Sequence, residues 1–522
     1  MTTLGEVAQT AGVVVAALLA AAVLLARSPR ARATAMLGAL VLTPVLLLAN
    51  IWSTPQLQPL RERPLLALAA AGGGLVVLAL GALAIHRRPA LLALAAAAAL
   101  PFRVPIESGG DTANLLVPLY LVIAAGVLAY AVPRLRATRG LDDPAPGEGA
   151  GEHRREHERG ALEWLLAGAI VLYAAQAAYS SDFDAALAQT IFFYVPFALL
   201  YALLVRIRWT AALAGRCLIV LLVLAAAFVG IGFVEYAKRE LLLNPKVISS
   251  NQFEIHFRVN SLFFDPNIYG RFLVTVMLAV AAVLLWCRRP ALAAGCVAAL
   301  ALLWAGLVLT LSQSSFTGLL VGLTVLGGLR WGAGRAAAVV AGFAVTGLLV
   351  VLLAPGVVGL QGSADNVTSG RWSLVRGGVE LAAERPLTGW GAAAFETEYR
   401  AREKTSSARA TAASHTIPIT VAAEQGIGGL LLYLALVGTA IATLLRRASG
   451  SIMRAAVAAA FAALVVHTLL YAAFLEDPLT WALLALGSVL AAGAAREPDS
   501  GTAPAPPSAP SPAATSEPTS EP

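Results

Sequence analysis

The residues best suited to chemistry lie in short polar stretches of an otherwise apolar chain. The first stretch, "RVNSLFFDPNIYGRF" at residues 258–272, places Arg258, Asn267 and Arg271 around the start of a long apolar run. Arginine is permanently charged, so an arginine in such a position needs either a function or a nearby carboxylate to pair with. Arg258 precedes the apolar run and has no obvious local partner in the sequence, which makes it the stronger candidate for a functional residue.

The same stretch contains a helix start. Asp265 fits the capping position of a helix and Pro266 the first helical position, where its missing N–H costs nothing. In a helix that begins there, Asn267 and Arg271 are one turn apart on the same face. We expect Arg271 to snorkel towards the lipid head groups, as a lone arginine near a helix end usually does.

A second polar stretch ends at His415, directly before an apolar run that begins near Thr416. The positive end of the helix dipole favours neutral imidazole, which is the form that can accept a proton. His415 is therefore a candidate proton acceptor, and an ordinary polar helix cap is the alternative. Upstream, "SGRWSLVRGGVELAAERP" predicts a helix capped by Ser369, with Arg371 in its first turn.

Other residues of this second stretch have local explanations. The predicted helix carries an apolar stripe that can lie on the outer leaflet. In "FETEYRAREK", two acidic residues stand four positions before two basic ones, which is the spacing of solvated helical ion pairs. The stripe consists of Trp372, Val375, Val379 and Ala382, and the expected pairs are Glu396 with Arg400 and Glu398 with Arg402.

The elements that position these residues are membrane helices. The chain has 522 residues, of which 58% are hydrophobic and 13% charged, and long apolar runs recur along it. This composition excludes a soluble protein and predicts an all-α polytopic membrane protein with about 12–15 transmembrane helices and a large helical extracytoplasmic loop. One predicted span, at residues 336–354, directly precedes that loop.

The distribution of basic residues predicts the orientation. Short loops rich in Lys and Arg stay in the cytoplasm, and every second junction of this chain is basic. This pattern places the amino terminus outside and the carboxy terminus in the cytoplasm. Two outward segments, 237–271 and 355–415, are also basic, and they carry the candidate residues described above.

The composition along the chain also predicts four regions. They are N-terminal transmembrane helices at 1–133, a cytoplasmic linker at 134–160, a second transmembrane domain at 161–495 with its extracytoplasmic loop at 355–415, and a disordered cytoplasmic tail at 496–522. No internal repeat and no phosphate-binding glycine loop is present, which argues against an energy-coupled pump.

Neither a metal nor a cofactor is predicted. His153 and His157 of the linker have a spacing that could bind a metal, but no third ligand is evident and a solvated charge run explains them better. Cys217, Cys287 and Cys296 show no paired spacing, so neither a disulfide nor a zinc site is indicated. Nucleic acid is not an expected partner, whereas membrane lipids are.

The order of the polar motifs resembles one family of envelope proteins. An arginine before "DPN", a serine-rich turn "LTLSQSS", then "GRW", "PLTGWGAAAF" and a histidine opening a span that continues "EQGIGGLLLYL" are similar to the O-antigen ligase and O-antigen polymerase family. The resemblance covers about residues 185–447. It implies a GT-C-like, metal-independent, inverting glycosyltransferase in the bacterial cytoplasmic membrane. Such an enzyme moves a glycan from an undecaprenyl-diphosphate carrier to a hydroxyl of a glycan, lipid or protein acceptor.

The resemblance also implies roles for individual residues. Arg258, Arg371 and His415 match the catalytic positions of the family. The arginines would stabilise the diphosphate leaving group as a metal ion does elsewhere, and His415 would act as the base for the acceptor hydroxyl. The implied substrate-binding residues are Asn267, Arg271, Ser312, Gln313, Ser315, Arg376 and Glu424.

Two positions depart from the family pattern. Many relatives have "HN" where this chain has His415 followed by Thr416, and many have an arginine where this chain has Ser315. The second difference puts in doubt a phosphate contact at the serine-rich turn, so that Gln313, Ser314 and Ser315 would contact sugar instead. Glu424, nine residues after His415, lies on the other side of a straight helix and is expected not to orient it directly.

Three alternatives to a ligase remain. A polysaccharide polymerase of the same fold has the same motifs. A lipid-linked sugar transporter would have repeated halves and ionisable residues near mid-membrane, and only His467 and Glu424 are predicted that deep. A structural envelope scaffold would explain neither the outer arginines nor His415.

Overall fold

A computed structural model of the protein describes most of the chain. The described residues are 3–51, 58–108, 111–136, 160–242, 257–339, 341, 342, 345, 371–403, 416–471 and 473–496. Ser369 and His415 lie outside the described residues, as do most of the predicted linker at 134–160, most of the predicted span at 336–354 and the tail after residue 496.

The first part of the chain folds into apolar helices and one hairpin. The two strands, β1 Val104–Ser108 and β2 Asp111–Leu115, pair antiparallel between the last two of these helices. The helices are α1 Thr3–Leu25, α2 Pro29–Ile51, α3 Gln58–Glu62, α4 Pro64–Arg87, α5 Ala90–Ala99 and α6 Val117–Arg136.

In the second part, helices are the regular secondary structure of the described residues, and short coil segments connect them. A π-helical turn at Thr190–Tyr194 joins α8 to α9 into one span, and a single-turn 3-10 helix at Ala448–Gly450 separates α16 from α17. The helices are α7 Ala161–Ala177, α8 Phe183–Gln189, α9 Val195–Leu204, α10 Ala211–Lys238, α11 Pro266–Trp286, α12 Pro290–Thr310, α13 Gln313–Trp331, α14 Arg371–Glu384, α15 Phe395–Glu403, α16 Ile417–Leu445, α17 Ile452–Leu470 and α18 Pro478–Arg496.

Ten of the described spans are long and apolar enough to cross a membrane. Shorter apolar helices at Ala90–Ala99, Ala161–Ala177 and Pro478–Gly493 accompany them. A chain in lipid must pair its backbone polar groups internally, which is why such runs form helices. The prediction of an all-α polytopic membrane protein is confirmed, with the short hairpin as a local exception.

Two apolar cores hold the described helices together. The larger core joins α1, α2, α4 to α9, α16 and α18, and the smaller joins α10 to α13. α17 contributes residues to both cores and lies along α13 over much of its length. α11 packs against α12, α13 and α17, so the ends of these helices are brought together.

Candidate functional site

A helix cap sets the direction of the side chains at the start of α11. Asp265 Oδ1 accepts a hydrogen bond from the Asn267 N–H at 2.6 Å, and Pro266 occupies the first helical position. The predicted helix start at Asp265 and Pro266 is confirmed. Asn267 and Arg271 follow one turn apart, and both are buried among neighbouring helices.

Arg258 connects the chain before α11 to the end of α12. Its Nε donates to the Thr310 carbonyl oxygen at 3.0 Å, and its Nη2 donates to Asn267 Oδ1 at 3.2 Å. The N–H of Val259 donates to the Leu309 carbonyl at 3.0 Å and anchors the same segment. The expectation that Arg258 lacks a local partner is therefore wrong, because both contacts fix a half-buried guanidinium against two helix ends.

Arg271 lies inside the bundle. Its side chain is 2% exposed, its Nη1 contacts Asp477 Oδ2 at 2.5 Å and donates to the Ala473 carbonyl at 3.1 Å, and its Nε donates to His467 Nδ1 at 3.2 Å. A buried guanidinium without an anionic partner would be far too costly. The prediction that Arg271 snorkels is wrong, because Asp477, 206 residues further along, supplies the opposite charge within the protein.

His467 joins Arg271 to the serine-rich turn. Since arginine has only N–H donors, His467 Nδ1 must accept and the ring proton must be on Nε2. His467 Nε2 lies 3.2 Å from Ser314 Oγ and 3.2 Å from Ser315 Oγ, and can donate to either hydroxyl. The imidazole is therefore neutral, with Arg271 at one ring nitrogen and the two serine hydroxyls at the other.

The first turn of α13 supplies the hydroxyl groups. Ser312 caps the helix, since its Oγ accepts from the Ser315 N–H at 3.3 Å, and the same hydroxyl donates to Asn267 Oδ1 at 2.8 Å. Ser312, Ser314 and Ser315 are buried, whereas Gln313 is exposed. The predicted residues Ser312 and Ser315 thus meet Asn267, and Gln313 faces away from them.

These contacts form one connected group, called here the buried polar cluster: Asn267, Arg271, Ser312, Ser314, Ser315, His467 and Asp477, with Arg258 at its edge. Tyr471 lies beside the cluster, where its hydroxyl donates to Asp265 Oδ2 at 3.0 Å. Burial, followed by the Asp265 carboxylate, raises the pKa of Tyr471 well above its usual value. The phenol therefore stays protonated and acts as a donor.

Small residues let the helices around the cluster approach closely. A Cβ on Gly270 of α11 would lie 2.4 Å from Ser315 Oγ, and a Cβ on Gly318 of α13 would lie 3.1 Å from the Ala463 carbonyl oxygen of α17. Close backbone approach at small residues is a common means of packing membrane helices. The geometry of the cluster thus depends on these positions having no side chain.

Gly270→Ala is expected to destabilise the protein by about 1–3 kcal/mol, since α11 and α13 must separate to admit the methyl group. Gly295→Ala in α12 is the matched control, because no heavy atom lies within 4 Å of its Cβ position. The control should be neutral or slightly stabilising. Thermal unfolding of both variants in detergent measures the difference, and equal melting temperatures would contradict the close packing inferred here.

α16 is interrupted near its start. Gly426 has φ 66° and ψ −166°, a conformation that disfavours any side chain and breaks the helix. The carbonyls of Ala423 and Glu424 accept hydrogen bonds from the N–H groups of Trp390 and Gly391 at 3.0 and 2.9 Å. The backbone of "PLTGWGAAAF" therefore docks on the break within "EQGIGG".

Glu424 is buried at this junction. Its Oε1 accepts from the Phe395 N–H, at the start of α15, at 3.2 Å. On the other side of the docked segment, Ser180 Oγ donates to the Ala392 carbonyl at 2.6 Å. Glu424 thus belongs to a second set of contacts, separate from the buried polar cluster, and its contact with substrate stays a prediction.

The helices α14 and α15 pack mainly through residues that the predicted stripe did not include. Leu374 and Leu381 of α14 are buried against α15, whereas Trp372 and Val379 are 54% and 52% exposed. Arg371 is the first residue of α14. The contact of this face with a membrane surface stays a prediction.

The charged residues of α14 and α15 form surface pairs. Arg376 contacts Glu380 at 3.0 Å, with 73% and 49% of the two side chains exposed. The predicted pair of Glu396 with Arg400 is confirmed, whereas Arg402 pairs with Glu384 of α14 instead of Glu398. The predicted role of Arg376 in substrate binding stays a prediction.

A small cavity lies beside the first half of α16. Its volume is about 50 Å³, and Tyr194, Tyr433 and Glu476 are among its lining residues. Tyr194 donates to Glu476 Oε1 at 3.1 Å, and burial raises the pKa of Glu476. This volume suits a few water molecules.

The structure brings together five of the predicted site residues: Arg258, Asn267, Arg271, Ser312 and Ser315. Sequence reasoning missed His467 and Asp477 as members of the same group. A signal existed for Asp477, because a buried arginine requires a carboxylate and "LEDP" places one directly before the last span.

The helices that carry the serine turn and the docked segment match a known family. Residues 298–434 match the family model described as O-Antigen ligase. This segment is similar to that family, and it is called here the O-antigen ligase domain. No curated protein matches the chain. The match agrees with the family resemblance read from the motifs over these residues. The ten apolar helices support a multi-pass membrane protein.

The O-antigen ligase domain contains only part of the buried polar cluster. It includes the serines of α13, Arg371, His415 and Glu424. Arg258, Asn267 and Arg271 precede the matched residues, and His467 and Asp477 follow them. The cluster therefore forms where the domain packs against the helices on either side of it.

Proposed function

We propose that the protein transfers a glycan from an undecaprenyl-diphosphate carrier to an acceptor hydroxyl at the outer face of the cytoplasmic membrane. The observation that supports this most directly is the buried polar cluster, with Arg258 at its edge, at the meeting point of the O-antigen ligase domain and its neighbours. Arginine is matched to the oxygens of a diphosphate in both charge and geometry.

Five helix ends that carry or adjoin candidate residues lie at one end of the bundle. α11 and α13 begin at the cluster, and α12 and α17 end there. α16 runs antiparallel to α17 after a short turn, so its first residue, Ile417, lies at the same end. We assign this end to the outer face, with the amino terminus outside and the carboxy terminus in the cytoplasm.

The arginines are proposed to stabilise the leaving group. As the sugar–phosphate C–O bond breaks, its electron pair moves to the diphosphate, and Arg258 and Arg371 bind the charge that develops there. Preorganised guanidinium groups can perform this role without a metal ion. The contacts of Arg258 with Thr310 and Asn267 hold one guanidinium in place before the donor arrives.

His415 is proposed to activate the acceptor. Its neutral imidazole takes the proton of the acceptor hydroxyl while the hydroxyl oxygen attacks the anomeric carbon from the side opposite the diphosphate. The new glycosidic bond therefore has inverted configuration, and the diphosphate remains on the lipid. His415 directly precedes α16, whose first turn lies at the same end as the cluster.

The buried polar cluster is proposed to position Arg258. Asn267 Oδ1 accepts from both Arg258 and Ser312, and the serine turn is held by His467, which is held by Arg271. Arg271 and His467 are thus positioning residues, which fix the helix ends that present Arg258.

The test uses the purified full chain in lipid nanodiscs with a lipid-linked glycan donor. We expect one undecaprenyl diphosphate to be released for each acceptor glycosylated. A lipid A core acceptor distinguishes ligation from extension of a second lipid-linked glycan, which is the reaction of a polymerase. Absence of donor turnover with glycan, lipid and protein acceptors alike would overturn the proposal.

Transfer is expected to continue unchanged in the presence of a metal chelator, because guanidinium groups supply the positive charge at the diphosphate. The rate of donor consumption with and without EDTA measures this. Activity that disappears with EDTA and returns with Mg²⁺ would show that a metal ion, and not the arginines, stabilises the leaving group.

A further inference from the structure

Arg103 extends from the N-terminal helices to the start of α11. It lies between α5 and β1, far outside the O-antigen ligase domain, and its Cζ is 5.3 Å from the centre of the Phe264 ring. Phe264 directly precedes Asp265, which caps α11. An arginine from a different part of the chain therefore reaches the same end of the bundle as the buried polar cluster.

An aromatic anchor holds this part of the chain in place. Phe102 packs edge-on against Phe228 of α10, with ring centres 5.9 Å apart. Phe228 in turn contacts Phe263 and Phe272 on either side of the helix cap, at 5.6 and 5.8 Å. Because the residue before Arg103 is fixed in the smaller core, the direction of the Arg103 side chain follows from packing.

The surroundings of Arg103 are charged, but their acceptors are already in use. Asp477 and Arg271 lie within its electrostatic reach. Asp477 contacts Arg271 through Oδ2 and accepts the Leu479 N–H through Oδ1 at 2.9 Å. Both oxygens of Asp265 also accept hydrogen bonds. Neither nearby carboxylate is therefore dedicated to Arg103.

Arg103 carries a buried donor without an acceptor. Its Nε is buried and has no hydrogen-bond partner in the part of the chain that the structure describes. Leaving a buried donor unsatisfied is costly, and folded proteins keep very few such groups. Burial lowers the pKa of Arg103, which the Asp477 carboxylate opposes. An incoming anion would satisfy the donor and stabilise the charge together.

We infer that Arg103 binds the diphosphate of the lipid-linked donor at the start of α11. The N-terminal helices then contribute a binding residue to a site that the O-antigen ligase domain only partly contains. This inference rests on the proposed function, since it assigns a residue to the donor of that reaction. Arg103 provides affinity for the donor, whereas His415 provides the proton acceptor.

The variant that tests this is Arg103→Gln, with Arg239→Gln as the matched control. Arg239 is an exposed arginine that follows α10, and its Cζ lies 4.1 Å from the centre of the Tyr236 ring. Arg103→Gln is expected to raise the KM for the lipid-linked donor by about 10- to 100-fold, the effect of losing a charged hydrogen bond, with a smaller change in kcat. Arg239→Gln should leave both constants unchanged.

A second measurement does not depend on turnover. Binding of inorganic diphosphate to the full chain in nanodiscs is expected to weaken in Arg103→Gln and in Arg103→Lys, since an ammonium group cannot reproduce the guanidinium fork. The lysine variant keeps the charge and the aliphatic stem, so its affinity for diphosphate tests the inference even if the glutamine variant does not fold. Unchanged affinity of the lysine variant for diphosphate would overturn the inference.

The outcomes separate the two proposals and the two sources of phosphate. Weaker diphosphate binding with no transfer by the wild-type protein would support Arg103 and overturn the proposed function. Normal transfer by Arg103→Gln at an unchanged KM would support the proposed function and overturn the role of Arg103. Comparing nanodiscs of phosphatidylcholine with nanodiscs that contain phosphatidylglycerol identifies a lipid head-group site. An effect of Arg103→Gln that appears only with the anionic lipid would overturn the assignment to the donor.

Discussion

Replacing His415 by alanine is expected to lower the rate of glycan transfer by about 10²- to 10⁴-fold, which is the usual contribution of a general base. Donor binding should remain, because the diphosphate is held by arginines. Initial rates and donor affinity of the purified variant in nanodiscs give the two quantities separately. A variant that turns over at the wild-type rate would exclude His415 as the base.

Arg371→Ala is expected to change different kinetic constants from His415→Ala. Loss of a guanidinium that stabilises the leaving group should weaken donor binding and also slow the transfer step. His415→Ala is expected to change only kcat. If both variants weaken donor binding equally and leave kcat unchanged, the assignment of separate roles to the two residues is wrong.

Two further measurements distinguish a base from a structural residue. Added imidazole should restore part of the activity of His415→Ala and none of the activity of Arg371→Ala, since only the first variant lacks a proton acceptor. His86→Ala is the matched control, because His86 is an exposed histidine in the last turn of α4. It should transfer glycan like the wild-type protein.

The sequence was sufficient to predict where α11 starts and why. Asp265 and Pro266 act locally, through a cap and a fixed φ, and local chemistry is visible in the order of residues. The apolar runs predicted the helices for a similar reason, since a segment in lipid has to satisfy its own backbone. The cap of α13 by Ser312 is also local, but only a serine-rich turn was predicted there.

The partners of Arg271 could not be predicted in the same way. Asp477 and His467 come from chain segments about 200 residues away, and their approach depends on how α17 packs against α11 and α13. No periodicity in either segment encodes that contact. A lone arginine near a helix end is compatible with snorkelling or with burial, and only the presence of a carboxylate at the same depth decides between them.

The break in α16 could not be predicted from the sequence for a different reason. Three glycines in "EQGIGG" are compatible with a straight membrane helix, because glycine is common in such helices. Gly426 becomes an interruption only because the docked backbone at Trp390 and Gly391 satisfies the carbonyl groups that the break leaves open.

Asp477→Ala is expected to destabilise the protein by about 3–5 kcal/mol, because it leaves the Arg271 guanidinium buried without its ion partner. Glu380→Ala is the matched control. It removes the acid of the exposed pair with Arg376, and the expected cost is at most about 1 kcal/mol. Thermal unfolding in detergent compares the two, and a similar melting temperature for both variants would show that Arg271 does not depend on Asp477.

The double variant Arg271→Met with Asp477→Leu then separates stability from function. Replacing both ions by apolar residues removes the unpaired charge, so most of the lost stability should return. Glycan transfer should not return, because His467 loses the donor that fixes its Nδ1 and the serine turn that supports Arg258 through Asn267 is no longer held. If transfer recovers together with stability, the ion pair serves the fold alone, and the positioning role of the buried polar cluster is wrong.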